Sequence, residues 1–232
     1  MPGKAFRPGV AIVGDVLRRI GWRMGLLFAA ILIPLWGFAE LSDEVREAEQ
    51  FVFDEPLLLR ARALSGPGLD RFFVWISWAG YQGVIVFDVL FVVVLLALRR
   101  WREATFAGLA FAGSALLNMG AKQFFGRERP SLWDSIAPEH TFSFPSGHAM
   151  GSMTLMAVLT LLCWRTRWRW PALLVCGAFA LGVGASRIYL GVHYPSDILG
   201  GWTAGLAWVV GTYAAVFNGP RRPWKTSLAG PA

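Results

Sequence analysis

Six long apolar runs, most of them bounded by arginine or tryptophan, limit what this chain can fold into. They extend from Ile20 to Ala39, Phe72 to Leu98, Ala104 to Phe125, His148 to Trp164, Pro171 to Arg187 and Tyr194 to Phe217. Crossing about 30 Å of hydrocarbon takes about 20 helical residues, and the shorter runs gain reach from flanking tryptophans and snorkelling arginines. Composition points the same way: 55% of residues are apolar and 16% charged, against about 25% charged in ordinary soluble domains. Disordered, collagen-like and coiled-coil chains are excluded. The expectation is an all-α, polytopic integral membrane protein, a single domain over residues 1–232 arranged as a six-transmembrane-helix bundle with both termini on one side.

Basic residues orient the bundle. Of 22 Lys and Arg, 14 fall on one face: Lys4, Arg7, Arg18, Arg19 and Arg23 on the N-terminal arm up to the start of the first run, then Arg99, Arg100 and Arg102, then Arg165, Arg167 and Arg169, and finally Arg221, Arg222 and Lys225. The positive-inside rule makes that face, and both termini, cytoplasmic. The net charge of +7 is thus accounted for by topology and not by nucleic-acid binding. The first run, with its basic arm and Gly37-Phe38-Ala39, also resembles a cleavable secretory signal. Pro34 and the length of the arm favour an uncleaved anchor, and cleavage would leave the other five spans oriented alike. Cys163 and Cys176 lack metal or redox spacing and read as small apolar residues.

The outward connection from Glu40 to Arg71 is charged early and then apolar at Phe51, Val52, Phe53 and Leu57 to Leu59, before Ser65-Gly66-Pro67-Gly68. It reads as an interfacial helix followed by a turn, chiefly a connector lying on the bilayer. Asp88 is the one carboxylate deep in a span and reads as structural. Arg127 reads as a rim charge, His140 as a residue without a role, and Glu128, Asp134 and Glu139 as solvated loop charges.

Three short constellations gather at the outward ends of the last four spans: Lys122 with Arg129-Pro130, Pro145-Ser146-Gly147-His148, and Ser186-Arg187 followed by His193 and Asp197. Lys122, Arg129 and Arg187 place three cations on the face where cations are scarce, a clamp suited to a multiply charged anion. Ser146 suits the N-cap of the fourth span, Gly147 permits close backbone approach, and the first amides of that helix would point at the anion. His148 stands in the same first turn. His193 and Asp197 are four apart around the start of the last helix, where a carboxylate on one imidazole nitrogen frees the other for attack.

These three segments resemble the tripartite signature of the type 2 phosphatidic acid phosphatase family, whose superfamily also holds bacterial acid phosphatases and vanadium-dependent haloperoxidases. Every signature position is matched, from Lys122 to Asp197. The resemblance implies that His193 is the nucleophile and forms a phosphohistidine, that Asp197 orients it, and that His148 protonates the leaving group. It implies that Lys122, Arg129, Ser146, Gly147 and Arg187 hold the phosphoryl oxygens, with no metal or cofactor. The implied protein is a lipid phosphatase of the cytoplasmic (inner) membrane, its site facing the periplasm or cell exterior and its substrate a lipid phosphomonoester or diphosphate: phosphatidylglycerophosphate, phosphatidate or undecaprenyl diphosphate. A lipid A phosphatase and a non-catalytic lipid-phosphate transporter or binding protein are the alternatives; a haloperoxidase is expected to be soluble, which the spans oppose. The bilayer and the lipid phosphate are the expected partners, and oligomeric state is not legible.

Overall fold

The computed structural model describes residues 21–47, 51–217 and 222–224. Lys4, Arg7, Arg18, Arg19, Ile20, Arg221 and Lys225 lie outside the described residues. Among those described, every regular element is helical: α1 Trp22–Arg46, α2 Asp54–Ala63, α3 Pro67–Trp78, a single π turn Ala79–Gly83, α4 Val84–Ala97, α5 Trp101–Phe125, α6 Gly147–Cys163, α7 Arg169–Tyr189 and α8 Pro195–Val216. Five helical stretches are long and apolar enough to cross a membrane: Gly25–Arg46, Pro67–Ala97 through the π turn, Trp101–Phe125, Arg169–Tyr189 and Pro195–Val216. The chain is therefore a multi-pass membrane protein. The fourth expected span, α6, is a shorter apolar helix of 17 residues.

The reason α6 is short lies in its position. It is the inner helix, packed against α5, α7 and α8, and Ala149, Met150, Ser152, Thr154, Leu155, Ala157 and Val158 are all buried. Close approach to α8 rests on glycine: a Cβ on Gly201 would lie 2.7 Å from the Ser146 carbonyl oxygen, and one on Gly205 would lie 3.0 Å from that of Met150. Small residues at such contacts let two backbones pack directly where lipid offers no hydrophobic drive for association. The outer surface is reversed relative to a soluble protein. Ile33, Trp36, Val86, Leu90, Leu116, Leu174 and Val175 each expose more than half of their area, an apolar belt that only lipid can cover at low cost.

Local signals set the helix ends. Gly126, at φ 59°, adopts the left-handed conformation that ends α5, its amide bonding the Lys122 carbonyl. Pro67 stands at the first position of α3, where a missing N–H costs nothing. The expected turn at Ser65–Gly68 is thus a helix start, and the second span begins five residues before Phe72. The first helix runs on to Arg46, seven residues past Ala39, because Glu40, Asp43 and Glu44 extend it as a polar end. At the opposite end of the bundle, Arg100 bonds Glu103 at 2.6 Å and stacks on Trp224, whose indole reaches the Leu162 carbonyl at 2.7 Å. Trp224 thereby ties Arg100 and Glu103, at the start of α5, to the end of α6.

Candidate active site

At the end of the bundle away from Trp224, the end of α5, the starts of α6 and α8 and the end of α7 converge beneath the connection 126–146. His193 precedes α8 and is fully buried. Its Nδ1 lies 3.3 Å from Asp197 Oδ2, one helical turn along, while Arg129 approaches its Nε2 at 3.0 Å. A guanidinium has donors only, so Nε2 must offer its lone pair and Nδ1 must carry the proton toward Asp197. Burial, then the positive charges of Arg129, Arg187 and Lys122, hold the imidazole pKa well below its ordinary value. The ring is kept neutral with its unprotonated nitrogen facing the cations.

Asp197 is completely buried yet fully engaged. Its Oδ1 accepts from Arg127 at 2.6 Å; Oδ2 accepts from the Ser143 hydroxyl at 2.5 Å and from the Tyr194 amide at 2.8 Å. The last bond is half of a capping box, the third residue of α8 reaching back to the residue that caps it. Arg127 also bonds the Ser196 hydroxyl at 2.8 Å and Asp54 at 3.0 Å, with its guanidinium over the Tyr194 ring. Asp54, the first residue of α2, in turn accepts from the Ser196 amide at 2.9 Å.

Two expectations are corrected here. Arg127 is a mostly buried strut between two carboxylates and not a rim charge, since its guanidinium bonds both Asp54 and Asp197. The connection from Glu40 to Arg71 does not merely lie on the bilayer: a buried acid at the start of its helix anchors the back of the site.

The predicted cations are all present. Arg129 donates from Nε to the Thr141 carbonyl at 2.6 Å and from NH1 to that of Val192 at 2.6 Å. Lys122 bonds the Thr141 hydroxyl at 3.3 Å and the Phe142 carbonyl. Arg187 is fully buried, bound to Ser77 and Glu139. His148 is stacked on Tyr81 with ring centroids 4.9 Å apart. Glu139, expected to be a solvated loop charge, instead lies among these groups and bonds Arg129 at 2.7 Å. The cations draw it in because opposite charges in a partly desolvated cleft attract far more strongly than in water.

Ser146 caps α6 by position only. Its amide donates to the Asp197 carbonyl at 3.0 Å, but its buried hydroxyl has no partner, and neither has Arg187 Nε. A buried donor left unpaired costs about 1–3 kcal/mol, so both are suited to a ligand oxygen. Gly147 is held close under Asn118, whose Oδ1 would lie 3.0 Å from an added Cβ. Lys122, Gly147, His148, Glu139 and Arg187 line one cavity of about 510 Å³ whose other wall is Val74, Trp78, Tyr81 and Met119. No group of three or more His, Cys, Asp or Glu arranged for a metal occurs among the described residues.

A helical bundle with membrane-spanning helices, a buried histidine–aspartate pair and three cations gathered at one end defines the class: a polytopic membrane protein with a cluster of cations and histidines at one end of its bundle. The PAP2 superfamily model matches residues 103–221, and the chain belongs to that superfamily. Among its relatives, phosphatidylglycerophosphatase B of Bacillus subtilis is 36% identical over 103 residues, covering 42% of this chain and 50% of that protein. An undecaprenyl-diphosphatase of Sulfolobus acidocaldarius is 39% identical over 76 residues, covering 32% of this chain and 34% of that one. The chain thus spans half or less of the length of these curated relatives. The crystal structure of a transmembrane PAP2-type phosphatidylglycerolphosphate phosphatase from Bacillus subtilis superposes with a TM-score of 0.71, covering 81% of this chain and 96% of that one at 24% identity. That likeness establishes a shared fold.

Proposed function

We propose that the chain is a lipid phosphatase of the cytoplasmic membrane that hydrolyses a lipid phosphomonoester or diphosphate through a phosphohistidine at His193. The observation that carries this reading is the placement of the His193 ring, with Asp197 3.3 Å from Nδ1 and Arg129 3.0 Å from Nε2, which favours a proton on Nδ1 and a lone pair on Nε2. Nε2 attacks phosphorus, the bond to the leaving oxygen breaks (the ester oxygen of a monoester, the bridging oxygen of a diphosphate), and Asp197 compensates the positive charge that develops on the ring. Lys122, Arg129 and Arg187, with the Ser146 hydroxyl and the Gly147 amide, neutralise the equatorial oxygens, where phosphoryl transfer needs most of its stabilisation. His148, against Tyr81 on the cavity wall, protonates the departing oxygen, an alkoxide from a monoester or the lipid monophosphate from a diphosphate. It then takes a proton from the water that releases phosphate from His193. The cations supply the charge neutralisation, so the reaction is proposed to need no metal or cofactor.

The mixed cavity supports a lipid substrate, since Lys122, Arg187 and His148 line its polar end while Val74, Trp78 and Met119 offer an apolar wall to the chains. The relatives' names favour phosphatidylglycerophosphate or undecaprenyl diphosphate, with phosphatidate and lipid A phosphate as further members of the class. Residues 1–232 are proposed to form one domain, with α6 completing six spans, both termini cytoplasmic and the site outward. The test is phosphate release by purified protein in detergent from a panel of these lipids, with and without excess chelator. Release from at least one lipid, undiminished by chelator, is expected. Failure on every lipid, or strict dependence on added magnesium, would refute the reading.

A further inference from the structure

The residue least accounted for by that chemistry is Glu139. Its Oε1 is bound to Arg187 and lies 3.7 Å from His148 Nδ1, while its Oε2 lies 2.7 Å from Arg129 and 3.8 Å from His193 Nε2. One carboxylate thus fills the space between the proposed nucleophile and the proposed acid. Reacting atoms approach to about 3–3.5 Å before bond formation, so a phosphoryl group attacked by Nε2 must take the place that this carboxylate holds. Carboxylate and phosphate present the same paired oxygens to a guanidinium, and the two cannot share the site.

We infer that Glu139 is a tethered competitor that guards the cation cage and sets the minimum charge a ligand must carry to enter. The inference rests on the lipid phosphatase reading and deepens it by naming the substrate class, a terminal phosphate with two negative charges. The connection carrying Glu139 is pinned on both sides: Ser135 bonds the Leu190 carbonyl at 2.6 Å, and Thr141 is held by Lys122 and Arg129. The Glu139 side chain itself is 27% exposed. It has room to swing outward while its backbone stays in place.

A guard has a physical purpose at this position. A cage of three cations at the membrane boundary faces bulk phospholipids, whose phosphodiesters each carry one negative charge. Left open, it would fill with headgroups that cannot be cleaved there. A tethered carboxylate weakens every anion by one common factor, since each must first displace it. A singly charged diester merely replaces one charge with another and falls below useful affinity. A dianionic monoester or a diphosphate gains a second charge against the same cations and still displaces the guard.

The test is equilibrium titration of the purified protein in neutral detergent with inorganic phosphate and with dimethyl phosphate, comparing wild type with Glu139→Gln. Both anions should bind the variant more tightly by a similar factor of about tenfold, the equivalent of removing roughly one net charge-assisted hydrogen bond of competition. Dioctanoyl phosphatidylglycerol should leave wild-type turnover unchanged and should inhibit the variant. Glu139→Asp keeps the charge on a shorter stem and should tighten both anions by less than the Gln variant; it carries the test if Glu139→Gln does not fold. Unchanged or weaker anion binding in the folded Gln variant, or in Glu139→Asp where only that variant folds, would overturn the guard. Binding is read without turnover, so the two claims separate. A wild type that releases no lipid phosphate refutes the phosphatase reading, whereas a working phosphatase with equal anion affinities in wild type and the folded variant refutes the guard alone.

Discussion

Replacing Arg127 by alanine separates a structural strut from a surface charge. The guanidinium bonds Asp197 at 2.6 Å, Ser196 at 2.8 Å and Asp54 at 3.0 Å, with its side chain 15% exposed. Its removal leaves two buried carboxylates facing each other across the space it vacates. Breaking such a pair typically costs about 3–5 kcal/mol. Asp197 keeps the Ser143 hydroxyl and the Tyr194 amide, and Asp54 keeps Ser196. The loss therefore belongs at the lower end, about 3 kcal/mol of folding stability.

The effect on rate follows from position. Arg127 does not line the cavity that holds His148 and Arg187, so substrate binding is little affected. Asp197, however, relaxes away from His193, and a displacement of about 1 Å at a catalytic group costs about a hundredfold. The expected outcome for Arg127→Ala is a fall in kcat of about that size, a KM within about threefold, and a lower denaturation midpoint in detergent. Arg127→Lys should recover only part of the loss, because an ammonium cannot bridge both carboxylates as a planar fork does. Phosphate release from a short-chain lipid phosphate, together with denaturant titration, checks both quantities. A variant with wild-type kcat and a midpoint shift worth under about 0.5 kcal/mol, as for ordinary surface substitutions, would refute the strut.

Three further outcomes follow. Gly201→Ala, whose Cβ would lie 2.7 Å from the Ser146 carbonyl oxygen, should push α6 from α8 and destabilise the protein by about 1–3 kcal/mol in the same titration; unaltered stability would show that the close approach is not needed. His193 has its folded pKa depressed well below the unfolded value. Its contribution is therefore present above about pH 6.5 and is lost as pH falls, so on acidification below pH 6.5 the wild type should lose more stability than His193→Gln; parallel pH profiles would contradict this. Single cysteines at Ala137 and Ala229, in a background lacking Cys163 and Cys176, should respectively react and not react with an impermeant thiol reagent on spheroplasts, and the reverse pattern would place the site on the cytoplasmic face.

What the sequence reveals about this fold divides along the range of the interactions. Apolar runs identify the spans because burial in lipid is a property of whole segments. They misplace the ends because a helix continues beyond the hydrocarbon: Glu40, Asp43 and Glu44 look like a loop by composition yet extend α1 to Arg46. Pro67 marks a helix start and a turn equally well, and only the extended Gly66 before it decides between them.

At the site, the residues drawn together by the motif spacing are together, because His193 and Asp197 are one turn apart and the others sit at helix ends that meet. The residues that support them were not legible. Asp54 lies 73 positions from Arg127 and 142 from Ser196, and no local pattern reports a pairing at that separation. A usable signal did exist for Arg127, which with Arg129 follows the Gly126 cap on the face poor in cations. Glu139 gave no such signal, since a loop carboxylate next to His140 resembles any solvated charge until three cations surround it.

Whether phosphate passes through His193 is tested by trapping the phosphoenzyme. Wild type and His193→Ala, both confirmed as folded, are mixed with a lipid phosphate labelled in its terminal phosphoryl group, quenched within milliseconds and digested. Label is expected on the wild-type peptide containing His193, stable in alkali and lost in acid as a phosphoramidate should be. His193→Ala should show neither label nor turnover. Phosphate release by His193→Ala at a rate near wild type would contradict the mechanism, as would acid-stable label on any other residue.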